Sequence, residues 1–237
     1  MATPWLTTES LVKRPLRPVR RWWSRLRRRQ SHGQFRPYVT ASEATTGWAR
    51  GPEAIELARV ASSLPTDAVI VEIGSFLGSS AVLLAGGRMV AGSGVVHCVD
   101  PFDGSGDAHS VPVYRQITDE LSESIRVRFD RSVIDAGVAA RVMVHEGTAE
   151  QVGATWTSAI DMLFLDGDQS PLGARSAYDI WSPFLKPGGI IAIHNSADRQ
   201  YSPEHDGHRR VALECLIEPS YVDVRCVGTT TFARKVS

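Results

Sequence analysis

The chain has 237 residues, 43% of them hydrophobic and 22% charged, which suits one globular domain with a full apolar core and an appendage. Its three cysteines form no Cys-x-x-Cys pair, which argues against a disulfide-rich scaffold and favours free thiols in a reducing compartment. No run of about 18 apolar residues occurs, so the sequence predicts no membrane-spanning helix.

The net charge is zero but is distributed unevenly along the chain. Residues 1–40 hold ten Lys or Arg and one Glu, a net charge of +9, which leaves −9 for residues 41–237. We predict a basic N-terminal arm over 1–40, either disordered or bracing a homo-oligomer, and one folded domain over 41–237. Two other roles for the arm stay open: peripheral contact with an anionic membrane through Trp22, Trp23 and Leu26, and contact with nucleic acid, which nothing else in the sequence favours. The arm lacks the apolar core of a signal peptide, so we expect a cytoplasmic protein.

The folded domain opens with a predicted helix over residues 53–62 and a buried, β-branched strand over 69–73. A glycine turn follows the strand, and Gly78-Ser79-Ser80 then begins an apolar helix. Gly74 has no side chain to keep a ligand away from the backbone, and free N–H groups at the start of the helix suit a carboxylate. Glu72 is a charge at the end of a buried strand, where it needs a hydrogen-bond donor.

The next predicted strand, residues 95–100, ends in an acid. Asp100 follows Gly74 by 26 residues, which is the separation expected for a carboxylate that binds a ribose diol at the tip of the neighbouring strand. The glycine spacing, Gly74-x-x-x-Gly78, is neither the Gly-x-Gly-x-x-Gly of a dinucleotide-binding fold nor a P-loop. Together, the glycine turn and the acid resemble the class I S-adenosylmethionine-dependent methyltransferases.

The rest of the chain alternates predicted strands with helices and polar loops. After Asp100 comes a glycine-rich loop over 101–112, in which Phe102 is placed either to pack on an adenine or to cover the core. Three more helices are predicted, over residues 114–136, 172–185 and 208–218. Five more strands are predicted, over residues 142–145, 160–166, 190–194, 221–227 and 229–235. The middle helix is predicted to end at Lys186-Pro-Gly-Gly189, and the last two strands form a hairpin across Gly228.

The resemblance implies an α/β fold: a Rossmann-like class I methyltransferase with a seven-stranded, mostly parallel sheet and a C-terminal antiparallel hairpin. It also implies that S-adenosylmethionine binds at the carboxyl ends of the strands. The cofactor-binding residues predicted on this basis are Glu72, Gly74, Ser75, Phe76, Ser80, Asp100, Phe102, Gly147, Thr148, Ala149 and Asp166.

A second group of motifs, Phe164-Leu-Asp-Gly-Asp-Gln169, Phe184-Leu-Lys-Pro-Gly-Gly189 and Ile193-His-Asn195, lies further along the chain. These motifs resemble the macrocin-type sugar O-methyltransferases and, more distantly, the catechol O-methyltransferases. Many members hold Mg²⁺ at the ends of the fourth and fifth strands, where a divalent cation lowers the pKa of an acceptor hydroxyl. The resemblance implies that the metal ligands are Asp166 and Asn195, and next Asp168 and His194.

The sequence departs from this branch at two positions, with Gln169 in place of the usual His and Asn195 in place of the usual Asp. The first cannot titrate, and the second removes one negative charge, so a lower metal affinity is predicted. The predicted catalytic residues are His194, as a general base at a strand tip, and Asp166. A structural role for His194 stays equally open, and His205 and His208 are further candidates for the base.

The sequence therefore predicts an S-adenosylmethionine-dependent, Mg²⁺-assisted O-methyltransferase that acts on a hydroxyl of a saccharide or glycosylated metabolite. The loops 101–118 and 196–208 are predicted to form the acceptor pocket. Two alternatives stay open: an enzyme that methylates a catechol or another phenol, and a non-catalytic cofactor-binding scaffold. The expected partners are a small-molecule or oligosaccharide acceptor and a second copy of the chain in a dimer.

Overall fold

A computed structural model of the chain describes residues 33–236 and contains a seven-stranded mixed sheet. The strands are β1 (Val69–Ile73), β2 (Val95–Asp100), β3 (Val142–Glu146), β4 (Ile160–Leu165), β5 (Leu185–Ile193), β6 (Tyr221–Val227) and β7 (Thr230–Lys235). Their order across the sheet is β3-β2-β1-β4-β5-β7-β6, and β7 is antiparallel to both of its neighbours, whereas β1 to β5 are parallel. The predicted fold class, including the C-terminal antiparallel hairpin, is confirmed.

Helices cover both faces of this sheet. They are α1 (Arg36–Ala44), α2 (Pro52–Ser63), α3 (Ser79–Ala91), α4 (Val111–Asp119), α5 (Ile125–Asp135), α6 (Ala149–Gly153), α7 (Pro171–Trp181) and α8 (Gly207–Cys215). Successive side chains of a strand point to opposite faces of the sheet, so the central strands contribute to two apolar clusters. Ile70 of β1 belongs to the first cluster, for example, and Val71 to the second. The first cluster lies under α1, α2, α3 and α5, and the second under α7 and α8.

The N-terminal boundary of the folded part lies earlier than residue 41. Helix α1 spans the predicted boundary, and Phe35 and Val39 are buried in the first apolar cluster. Residues 1–32, with Trp22, Trp23 and Leu26, lie outside the described residues, so the roles considered for the basic arm stay predictions. Within residues 33–236, no helix has both the length and the apolar character needed to cross a bilayer.

The predicted single helix over 114–136 is wrong. The segment forms two helices, α4 and α5, separated by residues 120–124. Ser124 begins the second helix, because its hydroxyl accepts a hydrogen bond from the backbone N–H of Val127 at 3.2 Å. The N-cap at Ser124 therefore starts a new helix within a segment whose apolar periodicity suggested one continuous helix.

The predicted helix end at Lys186-Pro-Gly-Gly189 is also wrong. Helix α7 ends at Trp181, and a short 3₁₀ turn, Ser182–Phe184, leads directly into β5 at Leu185. Leu185 is buried and pairs with Ile160, and the strand register then shifts before Met162 pairs with Ile190. The Pro-Gly-Gly sequence is accommodated as an irregularity within β5. The strand predicted over 190–194 therefore begins five residues earlier than expected, and the other predicted elements agree with the structure to within three residues at each end.

Three strand ends come together at the carboxyl edge of the sheet, where the strand order reverses between β1 and β4. Backbone hydrogen bonds continue past the strands: Gly74 N–H donates to Val99 O at 2.9 Å, and Asp166 N–H donates to Ile73 O at 2.8 Å. His194 N–H donates to Leu165 O at 3.0 Å. Ligands of open α/β sheets bind at this kind of switch point, so the edge is where a site is expected.

A buried arginine fixes the opposite end of β1. Arg88 of α3 is 0% exposed, and its guanidinium donates to the carbonyl oxygens of Ala61, Pro65 and Ser93 at 2.8, 2.9 and 2.7 Å. These carbonyls lie at the end of α2, in the turn before β1 and in the turn before β2. One side chain therefore joins these three places through their backbone groups.

We expect Arg88→Met to lower the free energy of unfolding by about 3–5 kcal/mol, because the carbonyls of Ala61 and Ser93 lose the guanidinium donor and that of Pro65 keeps only the N–H of Ala68. The measurement is urea unfolding followed by circular dichroism. The control is Arg59→Met on α2, whose side chain is 59% exposed and pairs with Glu56, and which should cost less than about 1 kcal/mol. Equal losses in the two variants would contradict this account of Arg88.

Candidate active site

A cavity of about 600 Å³ opens at the carboxyl edge of the sheet. This volume is in the range of small-molecule sites. The ends of β1, β2, β4 and β5 line it, together with the loops that follow them. It brings together these residues of the predicted site: Gly74, Ser75, Phe76, Ser80, Asp100, Thr148, Ala149, Asp166, Asp168, His194 and Asn195.

The Asp100 carboxylate holds the glycine turn after β1 in place. It accepts hydrogen bonds from the backbone N–H groups of Ser75 at 2.9 Å, Phe76 at 2.8 Å and Phe102 at 2.6 Å. Gly74 has φ +88°, and a Cβ there would lie 2.5 Å from the carbonyl oxygen of Asp166, so a glycine is required. Burial raises the pKa of Asp100, although the three N–H donors oppose that change.

Three of the predicted cofactor-binding residues do not line the cavity. Glu72 is 0% exposed; it accepts a hydrogen bond from Ser75 Oγ at 2.6 Å, and burial raises its pKa to about 7. The ring of Phe102 is buried against Phe129, 5.2 Å between centroids, so it covers the core. Gly147 donates its N–H to Asp100 O at 3.0 Å. These three residues do not face the cavity themselves, but they contact residues that line it.

An arginine that the sequence did not reveal supports the start of α3. Arg50 donates to Ser79 Oγ at 2.8 Å, to Ser42 O at 2.8 Å and to Thr45 O at 2.6 Å. Ser79 and Ser80 line the cavity, next to the unpaired N–H groups of the helix N-terminus. A cation and a helix N-terminus therefore lie together behind this wall, and both favour an anionic group.

His194 lies between two buried carboxylates. Its Nδ1 is 2.7 Å from Asp166 Oδ1, and its Nε2 is 3.8 Å from Glu53 Oε1. Burial alone would lower the pKa of His194, but the two carboxylates outweigh it and raise the pKa to about 10. The imidazole is thus a cation at neutral pH, which argues against the prediction that it is the general base.

Glu53, at the start of α2, was not identified from the sequence. It is 4% exposed, and Oε2 accepts hydrogen bonds from Thr229 N–H at 2.7 Å, Thr229 Oγ1 at 2.9 Å and Thr230 Oγ1 at 3.1 Å. Burial raises its pKa, but the hydrogen bonds and the charge of His194 prevail and lower it to about 2. The C-terminal hairpin therefore contributes to the floor of the cavity.

The predicted metal ligands do not form a site that fits a divalent cation. The charge of Asp166 is already compensated by His194, and Asp168 Oδ1 accepts the N–H of Ser170 at 2.8 Å. Asn195 contributes a neutral amide and no negative charge. Among residues 33–236, no group of three or more His, Cys, Asp or Glu is arranged to hold a metal. Since Mg²⁺ takes several oxygen ligands in octahedral geometry, we derive no step through a metal.

Three aromatic rings line the outer part of the cavity. Phe76 lies 4.9 Å from Tyr114 and 5.8 Å from Trp48, measured between ring centroids, and Trp48 is 5.4 Å from Tyr114. Trp48 is 42% exposed, so a flat ring surface faces the opening. Such a cluster suits the face of a planar or cyclic ligand.

Polar side chains from two loops face the aromatic rings. His109 and Ser110 come from the loop after β2, and Arg199 and His205 come from the loop after β5. Gln169 is 4% exposed, and its Oε1 has no hydrogen-bond partner among the described residues. It is therefore ready to accept a hydrogen bond from a ligand. Segments 101–118 and 196–208, predicted as the acceptor pocket, both contribute to this cavity.

Comparison with known proteins gives a family match over the central part of the chain. Residues 71–196, just over half of the sequence, match the model of a methyltransferase domain family. Among solved structures, Rv0187 from MTB with its cofactor bound is 18% identical, with a TM-score of 0.61 over 94% of this chain and 99% of that one.

Two further solved structures are similar over 86% of this chain and 90% of theirs, each with 18% identity and a TM-score of 0.57. One is the O-methyltransferase TomG of Streptomyces achromogenes, involved in tomaymycin synthesis, in complex with SAM. The other is an O-methyltransferase of Bacillus cereus in complex with SAH. At such low identity these likenesses show a shared fold.

The raised pKa of His194 predicts how stability changes with pH. Its contribution is fully present below the unfolded pKa of about 6.5 and is lost as the pH rises through the folded pKa of about 10. His194→Gln should therefore flatten the fall in the free energy of unfolding across this window, measured by urea unfolding. His145→Gln is the control, because burial lowers the pKa of His145 and its contribution changes only at acid pH. An unchanged slope in His194→Gln would contradict the buried cation.

Proposed function

The chain belongs to the methyltransferase domain family, and on that premise we propose that it transfers a methyl group from S-adenosylmethionine to a hydroxyl of a small molecule. The observation that carries the proposal is the cavity at the carboxyl edge of the sheet, where the Gly74 turn and the Asp100 carboxylate lie side by side. Two of the solved structures above are O-methyltransferases bound to SAM or SAH, which supports the same cofactor and acceptor atom.

The lining residues fit the parts of this cofactor. Oδ2 of Asp100 already accepts two backbone N–H groups, but Oδ1 accepts only one, so Oδ1 can still accept a hydroxyl of the ribose. The helix N-terminus at Ser79 and Ser80, with Arg50 behind it, suits the methionine carboxylate. Thr148 and Ala149 are proposed to line the adenine. When bound, the cofactor supplies an electrophilic methyl group on a sulfonium.

For the acceptor, we infer a phenolic or catecholic hydroxyl as the first candidate. The aromatic cluster of Trp48, Phe76 and Tyr114 offers a surface for a planar ring. A phenol has a pKa of about 10, whereas a sugar hydroxyl is far less acidic and needs more activation. Since the described residues do not fit a divalent cation, the more acidic acceptor is the better match.

A saccharide or glycosylated metabolite is the second candidate. It is supported by the resemblance of the motifs around Asp166 and His194 to the macrocin-type enzymes, and aromatic rings also pack on sugar faces. Mg²⁺ assistance, implied by the same resemblance, is not included in the proposal.

The cofactor assignment is tested by calorimetric titration with S-adenosylhomocysteine. We expect micromolar binding by the native chain, and binding at least tenfold weaker in Asp100→Ala, because the ribose loses its acceptor. Asp135→Ala, an exposed acid on α5, is the matched control and should bind like the native chain. Circular dichroism checks that each variant is folded. A folded native chain that does not bind would refute the proposed function.

The acceptor class is tested by following S-adenosylhomocysteine release with catechol, 4-nitrophenol and methyl glucoside. We expect turnover of the phenols, unchanged by excess EDTA, because no step uses a metal. Turnover of the glucoside alone, or a rate that EDTA abolishes, would favour the saccharide enzyme with Mg²⁺. Cofactor binding without turnover of any acceptor would favour the non-catalytic scaffold.

A further inference from the structure

The loops after β2 and β5 meet through a carboxylate and an imidazole. His205 Nδ1 lies 3.2 Å from Oδ1 of Asp107, which is 3% exposed. The same carboxylate accepts hydrogen bonds from Ser110 Oγ at 2.7 Å and from the N–H groups of His109 and Ser110, both at 3.0 Å. Asp107 is thereby held rigidly, with one oxygen directed at the imidazole.

The contacts of this pair determine which atoms carry a proton. Burial acts to raise the pKa of Asp107, but hydrogen bonds from His205 and Ser110 outweigh it and hold the pKa well below its usual range. An ionised carboxylate only accepts hydrogen bonds, so Nδ1 of His205 carries the proton that points to it. In a neutral imidazole, Nε2 is then the nitrogen that can accept a proton.

The Nε2 atom of His205 is free for a ligand. It contacts Asn195 Nδ2 at 3.5 Å, too distant for a strong hydrogen bond, and both residues line the cavity. The titratable groups around the ring are Asp107, His109 at 4.8 Å between ring centroids, Asp166, Tyr201 and His208.

The other histidines proposed as base are unsuited to accept a proton from an acceptor. His194 is a buried cation between Glu53 and Asp166. His208 is 1% exposed, does not line the cavity, and its Nδ1 donates to His194 O at 2.9 Å. Of these three histidines, His205 combines a free ring nitrogen, access to the cavity and an orienting carboxylate.

We propose that His205 is the general base of the methyl transfer and that Asp107 is its positioning residue. The assignment rests on the proposed function. The acceptor O–H gives its proton to His205 Nε2 as the oxygen bonds to the methyl carbon. The carbon–sulfur bond breaks with its electron pair left on sulfur, which yields S-adenosylhomocysteine and an imidazolium next to Asp107.

The first test needs no acceptor. In ¹⁵N-histidine-labelled full-length protein with S-adenosylhomocysteine, the NMR signals of His205 should show a protonated Nδ1 and a bare Nε2. The signals are assigned by their loss in His205→Gln. Asp107→Asn should release this preference, because an amide can also donate to Nδ1. A native His205 with its proton on Nε2 would overturn the proposal.

The second test uses turnover with catechol. His205→Gln should lower the rate at least a hundredfold, and Asp107→Asn should lower kcat about tenfold or more with little change in KM. Added imidazole should restore activity to His205→Ala, which a merely structural role would not allow. Matched controls outside the cavity, His145→Gln and the exposed Asp119→Asn, should turn over at the native rate.

Calorimetry with S-adenosylhomocysteine distinguishes a failure of the proposed cofactor binding from a failure of the His205–Asp107 assignment. Both dyad variants should bind it with native affinity, so a native chain that does not bind refutes the proposed function, whatever the tautomer of His205. Intact binding together with undiminished turnover in His205→Gln, or a loss that imidazole does not relieve, overturns the dyad alone.

Discussion

The arrangement of the cavity depends on one buried cation and its two carboxylates. His194 connects Asp166, at the end of β4, with Glu53, at the start of α2, and Glu53 in turn binds the hairpin through Thr229 and Thr230. Burying three charged groups carries a large desolvation cost, which is offset only when each is paired and hydrogen-bonded. The group therefore joins β4, β5, α2 and the C-terminal hairpin. Because Asp166 and His194 are paired with each other, neither is suited to accept a proton from an acceptor.

The cavity has two halves with different origins. The half proposed for the cofactor is built on strand ends, where Asp100 and the Gly74 turn are fixed by backbone hydrogen bonds. The half proposed for the acceptor comes from the loops that carry Asp107 and His205, and from the aromatic rings beside them. Loops change more readily than strands, so one cofactor-binding frame can serve many acceptors.

The sequence predicted the elements whose signal is local. The β-branched runs gave the central strands, and the spacing of Gly74 and Asp100 gave the edge of the sheet that lines the cavity. Glu53 could not be found, because its partners lie in the C-terminal hairpin and no local pattern shows that contact. Asp107 was one acid in a glycine-rich loop, and Phe102 could serve either the core or a ligand until its neighbour Phe129 was known.

The two wrong boundaries have a common cause. Periodicity joined α4 to α5 and extended α7 to Leu185, because side-chain patterns report which face is buried and not where a backbone is capped. The N-cap at Ser124 and the pairing of Leu185 with Ile160 decided these ends. The predicted metal ligands are gathered at one edge of the sheet, as the sequence indicated, but the pairing of Asp166 with His194 depends on a contact between two strands that no local pattern shows.

Asp100 restricts how this protein can diverge. Its carboxylate closes the turn through Ser75, Phe76 and Phe102 while it faces the cavity, so the turn and the proposed cofactor contact depend on one side chain. A substitution that changed the proposed cofactor contact at this position would therefore also disturb the turn. Thr148 and Arg50 carry a similar double load, since Thr148 caps α6 and Arg50 supports the start of α3. Adjusting the proposed cofactor half of the cavity therefore also means adjusting the backbone around it.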